Sequence, residues 1–114
     1  MLAQRYRFHG HGSLRYLYRN GKIIRTPDLT LRYIQNSNRV HSRYTVIVSK
    51  KVLKSAVKRN RIRRRIYEII RKEDIQVQPS FDIAISVFSA DLLEVSHDEL
   101  RKKITSLFKK ANIL

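Results

Sequence analysis

The 114-residue sequence contains no cysteine. That excludes disulfides and thiolate metal sites and makes a reducing cytoplasm the expected compartment. Acidic residues are scarce too: nine Asp and Glu stand against 25 Lys and Arg, and only Asp28 and Glu68 precede residue 73. A carboxylate-held metal site in the first two-thirds is therefore not expected, and neither is an acid–base nuclease site, which wants paired His or carboxylates. The histidines His9, His11, His41 and His97 are scattered. No stretch approaches the roughly 20 apolar residues of a membrane-spanning helix, and the N-terminus shows no signal-peptide core. Neither an internal repeat nor a low-complexity tract is visible, so a membrane or secreted protein is not expected.

What the chain does have is positive charge, with a formal net charge of +16 and a pI near 10.8. The charge is lopsided. Residues 1–72 carry 20 basic and 2 acidic side chains, whereas residues 73–114 carry 5 and 7. Such a balance calls for a polyanionic partner, nucleic acid before membrane, bound by the first two-thirds while the last third completes the fold. Leu, Ile, Val and Phe account for 36 residues, well above the range of disordered chains. One domain over 1–114 is expected, with residues 1–12 as a basic, aromatic N-terminal arm.

The stretch around which the rest is organised is 49–72. Eleven of its 24 residues are basic: Lys50, Lys51, Lys54, Lys58, Arg59, Arg61, Arg63, Arg64, Arg65, Arg71 and Lys72. Yet Ile62, Ile66, Ile69 and Ile70 recur at helical spacing and stack on one face. Arg61, Arg64, Arg65, Glu68, Arg71 and Lys72 then fall mostly on the other face. A solvated surface usually mixes both signs and a nuclear localisation run lacks core isoleucines, so a phosphate-binding helix is the expectation. Arginine predominance from 59 to 65 suits bidentate contacts, and Asn60 adds a neutral donor and acceptor.

Along the chain, Ser13 reads as an N-cap, Leu14, Leu17 and Tyr18 as a short helical stripe, and Gly21 as its C-cap. A short strand is expected over 22–25, then a Thr26-Pro27-Asp28 turn. Leu29 to Gln35 alternates as a strand, and Arg43 to Ser49 is a second strong one. Their short separation predicts an antiparallel hairpin between these two. The basic helix runs to about Lys72, and a loop follows over 75–80. Phe81, Ile83, Ile85 and Val87 alternate with Asp82, Ala84, Ser86 and Phe88 as a fourth strand. Ser96 and Glu99 form a capping box ahead of a last helix cored by Leu100, Ile104, Leu107, Phe108 and Ala111. The order α-β-β-β-α-β-α predicts an α+β two-layer sandwich with a four-stranded sheet.

The string Lys58-Arg59-Asn60-Arg61-Ile62-Arg63-Arg64, preceded by Ser49-Lys50-Lys51 and followed by Tyr67-Glu68, resembles the signature of the bacterial ribonuclease P protein component. Length, charge and element order agree over nearly the whole chain. The resemblance implies several things that the residues alone do not. The strand–helix–strand crossover carrying the basic helix would be left-handed, where right-handed is the default. The protein would be a subunit of an endoribonuclease that releases the 5′ leader of precursor tRNA. Its active site and Mg²⁺ ions would lie in the catalytic RNA subunit, with no cofactor bound by the protein alone. Partners would be that RNA and precursor tRNA, with no membrane and no obligatory protein partner.

RNA-subunit contacts are then expected from Lys50, Lys51, Lys54, Lys58, Arg59, Asn60, Arg61, Arg63, Arg64 and Arg65. A leader-binding cleft between the sheet and the first helix would draw on Phe8, Tyr16, Tyr18, Tyr33 and Tyr44, where aromatic faces stack on bases; core or rim packing is the alternative role for each. The competing functional class is a small basic structural ribosomal protein, which composition alone does not separate from the first. A duplex-DNA binder ranks third, because no helix-turn-helix spacing precedes the basic helix.

Overall fold

In the computed structural model, which describes residues 11–36, 42–73 and 80–113, seven main elements form one four-stranded sheet and three helices packed on it. They are α1 (His11–Asn20), β1 (Lys22–Arg25), β2 (Leu29–Gln35), β3 (Arg43–Val48), α2 (Ala56–Glu73), β4 (Phe81–Val87) and α3 (His97–Ala111), with a 3-10 turn over Ala90–Leu93 between the last two. The strand order is β1-β2-β4-β3. β2 pairs antiparallel with β1 and β4, and β3 lies parallel to β4, so the sheet is mixed. The α+β architecture and its four strands are as expected.

The expected hairpin between β2 and β3 does not form. β4 inserts between them, pairing Leu29 with Val87 on one side and Val48 with the same Val87 on the other. The reason lies in β4's own side chains. From Asp82 to Val87 every residue is buried, so both faces need cover and the strand takes a central place. β3 alternates between buried and half-buried, a pattern suited to the edge, and it reaches β4 through α2.

One face of the sheet carries the main core. Leu29, Leu31, Tyr44, Val46, Val48, Ile83, Ile85 and Val87 meet the buried faces of α2 and α3 there. Ile62, Ile66, Ile69 and Ile70 are all buried as the helical spacing predicts, each stabilising by about 1.5–3 kcal/mol relative to exposure. One face of the sheet and two amphipathic helices thus make the sandwich. On the opposite face, among the described residues, α1 packs Leu17 and Leu14 on Ile34, Ala84 and Ile47.

Local signals explain the ends. Ser55 Oγ accepts from Lys58 N at 3.3 Å to open α2. Ser96 Oγ accepts from Glu99 N at 3.1 Å to open α3, and Asn112 closes that helix in the left-handed region at φ 60°. At Gly21 an added Cβ would stand 2.6 Å from Leu17 O and 3.0 Å from Tyr33 O, so α1 and β2 approach too closely for a side chain. α1 begins at His11, ahead of Ser13, which places residues 11 and 12 in the helix rather than in the arm. The rest of the arm, with Phe8 and His9, lies outside the described residues, as do His41 and residues 75–79 of the expected loop.

Candidate nucleic-acid interface

The basic helix separates into side chains turned outward and side chains held by the protein itself. Lys50, Lys51, Lys54, Lys58, Asn60, Arg61 and Arg64 are exposed. Among the described residues no carboxylate lies within ion-pair range of those six cations. Arg63 is half-buried and donates to Asn60 Oδ1. Farther along, Arg71 Nε donates to Glu68 Oε1 at 2.9 Å, a bond that draws the Glu68 carboxyl well below its usual pKa.

Two arginines of the expected RNA-binding set, Arg59 and Arg65, are half-buried and spend guanidinium donors on carbonyls of the protein itself. Arg59 Nη1 donates to Leu53 O and Lys54 O, both at 2.9 Å. Arg65 Nη1 donates to Leu92 O at 2.8 Å and Leu93 O at 2.9 Å, while its Nη2 reaches Val95 O. The cause is position on the helix. Arg59 precedes Ile62 by three residues and Arg65 precedes Ile69 by four, so both flank the apolar stripe. Their guanidiniums satisfy loop carbonyls beside the core.

The expected aromatic cleft is also redistributed. Tyr44 is fully buried in the main core, because it shares the inward side of β3 with Val46 and Val48. Tyr33 shares the core-facing side of β2 with Leu29 and Leu31 and packs against Phe81 at 6.2 Å between ring centroids. It therefore sits on the sheet face away from α1, lining a separate recess with Phe81, Lys110 and Ile113. Tyr16 is exposed on α1, on the opposite flank of Leu17 from Tyr18. Phe8 lies outside the described residues.

Among the four of these aromatics that the structure describes, Tyr18 alone lines the groove between α1 and the sheet. That groove, of about 300 Å³, is walled by Tyr18, Arg32, Ile47, Ser49, Ser86, Val87 and Phe88. Arg32 lies over the Tyr18 ring, 4.4 Å from its centroid, a cation–π geometry. Tyr18 is 43% and Phe88 55% exposed. Reading the sequence for aromatics on the first helix and second strand missed both Arg32 and Phe88. The period-2 alternation carried the signal, since Arg32 shares its side of β2 with Ile34, and Phe88 follows the parity of Ser86.

Among the described residues no group of three His, Asp or Glu side chains gathers to hold a metal ion, and no helix is long and apolar enough to cross a membrane. A cation-rich helix on one face of a mixed sheet and an aromatic groove with a guanidinium on the other define a small, strongly basic α+β protein.

The comparisons narrow the class. The chain belongs to the Ribonuclease P family, whose sequence profile matches residues 2–112, and so to the proteins of tRNA processing. It is 32% identical over 98 residues to the ribonuclease P protein component of Synechocystis sp., covering 86% of this chain and 78% of that one. Against the component from Thermoanaerobacter sp. (strain X514) it is 35% identical over 94 residues, covering 82% and 78%. Solved structures share the fold. The RNase P protein of Staphylococcus aureus superposes with a TM-score of 0.83 at 21% identity, over 95% of this chain and 96% of that one. The Thermotoga maritima protein gives 0.81 at 22%, over 91% and 96%.

Proposed function

We propose that this chain is the protein subunit of ribonuclease P, binding the catalytic RNA subunit through the outward cations of α2 and its lead-in. The observation that carries the reading is the set of Lys50, Lys51, Lys54, Lys58, Arg61 and Arg64, exposed together with no carboxylate partner among the described residues. Left alone, these charges repel one another; phosphates of a folded RNA neutralise them and release counterions. Arg61 and Arg64 supply planar forks for phosphate, while the lysines act as point charges. Half-buried Arg63, tied to Asn60, borders the same surface.

The groove at Tyr18, Arg32 and Phe88 takes the unpaired 5′ leader of precursor tRNA in this reading. Tyr18 and Phe88 offer ring faces for bases, and Arg32 offers its charge to the backbone between them. Cleavage is assigned to the RNA subunit with its Mg²⁺ ions. Among the described residues no three His, Asp or Glu side chains gather beside the basic face to hold a catalytic metal. The compartment is the cytoplasm, with the RNA partner.

The test is the salt dependence of binding to a bacterial ribonuclease P RNA. Six neutralised phosphates predict a slope of log affinity against log salt of roughly −4 to −5. Replacing Lys58, Arg61 and Arg64 by alanine should reduce its magnitude by roughly 2–3. A flat salt profile, or a slope untouched by the triple substitution, contradicts the assignment.

A further inference from the structure

Arg59 and Arg65 hold a matched pair of segments. Strands β3 and β4 run parallel and end in register, with Val48 opposite Val87. The chain therefore leaves the sheet at two adjacent points, through 49–55 after β3 and 88–95 after β4. Ser49 and Phe88, the first residues of those segments, line the same groove as Tyr18 and Arg32. Arg59 fastens the first segment to α2 at Leu53 O and Lys54 O. Arg65 fastens the second at Leu92 O, Leu93 O and Val95 O. Phe88 N also donates to Asp28 O at 2.8 Å, fixing that segment's start from the β1–β2 turn. Each outlet of the parallel pair is thus held by one guanidinium from the helix that connects the pair.

We infer that Arg59 and Arg65 are positioning residues that couple the RNA-docking helix to the groove rather than contacts to the RNA. By gripping the exit segments, they set where Ser49 and Phe88 stand relative to Tyr18, and so how wide the groove opens to a single strand. Neighbours on the same helix, Arg61 and Arg64, keep their forks outward. One basic motif therefore does two jobs, divided by helical position. Charge and grip are separable chemically. A lysine keeps the charge, but its single ammonium cannot span three carbonyls as a planar fork does.

The inference rests on the groove reading given above, and the experiment separates the two. Holoenzyme is reconstituted with wild type, Arg65→Lys, Arg65→Ala, Arg59→Lys and Arg64→Ala. For each, RNA-subunit affinity is measured across salt, with the ratio of affinities for precursor tRNA carrying and lacking a leader. Arg65→Lys and Arg65→Ala should keep RNA-subunit affinity within about twofold and leave the salt slope unchanged. Both should lose about tenfold in the leader ratio, as expected when a groove wall shifts by a fraction of an ångström. Arg59→Lys should act in the same direction, whereas Arg64→Ala should lower the salt slope.

Full recovery of the leader ratio by Arg65→Lys overturns the inference, since charge alone would then suffice. So does a fall in salt slope for Arg65→Ala equal to that of Arg64→Ala, the mark of a phosphate contact. Hydrogen exchange keeps a general loss of stability apart: amides of 89–95 should exchange faster in Arg65→Lys while those of α3 stay protected. Uniform acceleration contradicts the positioning role. A wild-type leader ratio of one would instead overturn the groove reading itself.

Discussion

Arg43 and Asp82 face each other across the parallel pair at the start of both strands. Arg43 Nε donates to Asp82 Oδ1 and its Nη2 to Oδ2, each at 2.9 Å. The two side chains are only 12% and 8% exposed, and Asn36 Nδ2 adds a third bond to the carboxylate at 3.1 Å. One carboxylate thereby joins the ends of β2, β3 and β4.

Breaking this pair from one side leaves the other charge buried. Asp82→Ala should cost about 3–5 kcal/mol, whereas replacing Arg43 by Met and Asp82 by Leu together should recover much of that loss. Urea denaturation of the single and double variants reads the difference. A single variant within about 0.5 kcal/mol of wild type would show the pair to be solvated.

Tyr18 and Tyr44 should part company under alanine substitution. Tyr44→Ala empties part of the core and should cost about 3–5 kcal/mol of stability. Tyr18→Ala should change stability by less than about 1 kcal/mol, yet weaken binding of a single-stranded leader by about 1–3 kcal/mol. Paired denaturation and leader-binding titrations check both. Equal losses of binding for substrates with and without a leader would remove Tyr18 from the groove's function.

Alkaline pH should loosen one tertiary contact. Lys103 Nζ donates to Asp28 Oδ2 at 2.7 Å, and this bond raises the lysine's pKa. A group whose pKa is raised on folding stabilises the fold below its unfolded value, near 10.4, and that contribution fades as pH rises through the folded value. Both side chains are about a third exposed, so the contribution is about 0.2–1 kcal/mol. Asp28→Asn should remove it, narrowing the stability gap between pH 8 and pH 11. An unchanged gap would mean that the contact contributes nothing.

Much of this was legible in the sequence, and the failures have two causes. Period-2 alternation set β2 at Leu29–Gln35 as observed, and helical periodicity set the buried isoleucines of α2 and the core face of α3. Those signals are local. Strand order is not: placing β4 between β2 and β3 depends on Ala84 and Ser86 being covered from the α1 side, and no spacing rule foretells what covers them. Density of charge likewise identified α2 as basic but could not say which arginines serve the protein itself. For Arg59 and Arg65 the helical wheel held the answer, because both sit beside the isoleucine stripe. For Tyr33 and Tyr44, the parity shared with Leu31 and Val46 marked them as core-facing.

In the proposed function the outward cations of α2 serve one structured RNA. The direct measurement is to express the tagged protein in its native host, capture it at moderate salt and sequence the RNA that comes with it. The expected result is a single dominant structured RNA that, with this protein, trims precursor tRNA 5′ ends at low Mg²⁺. Ribosomal RNA bound stoichiometrically within intact subunits would contradict it and make the chain a structural ribosomal protein.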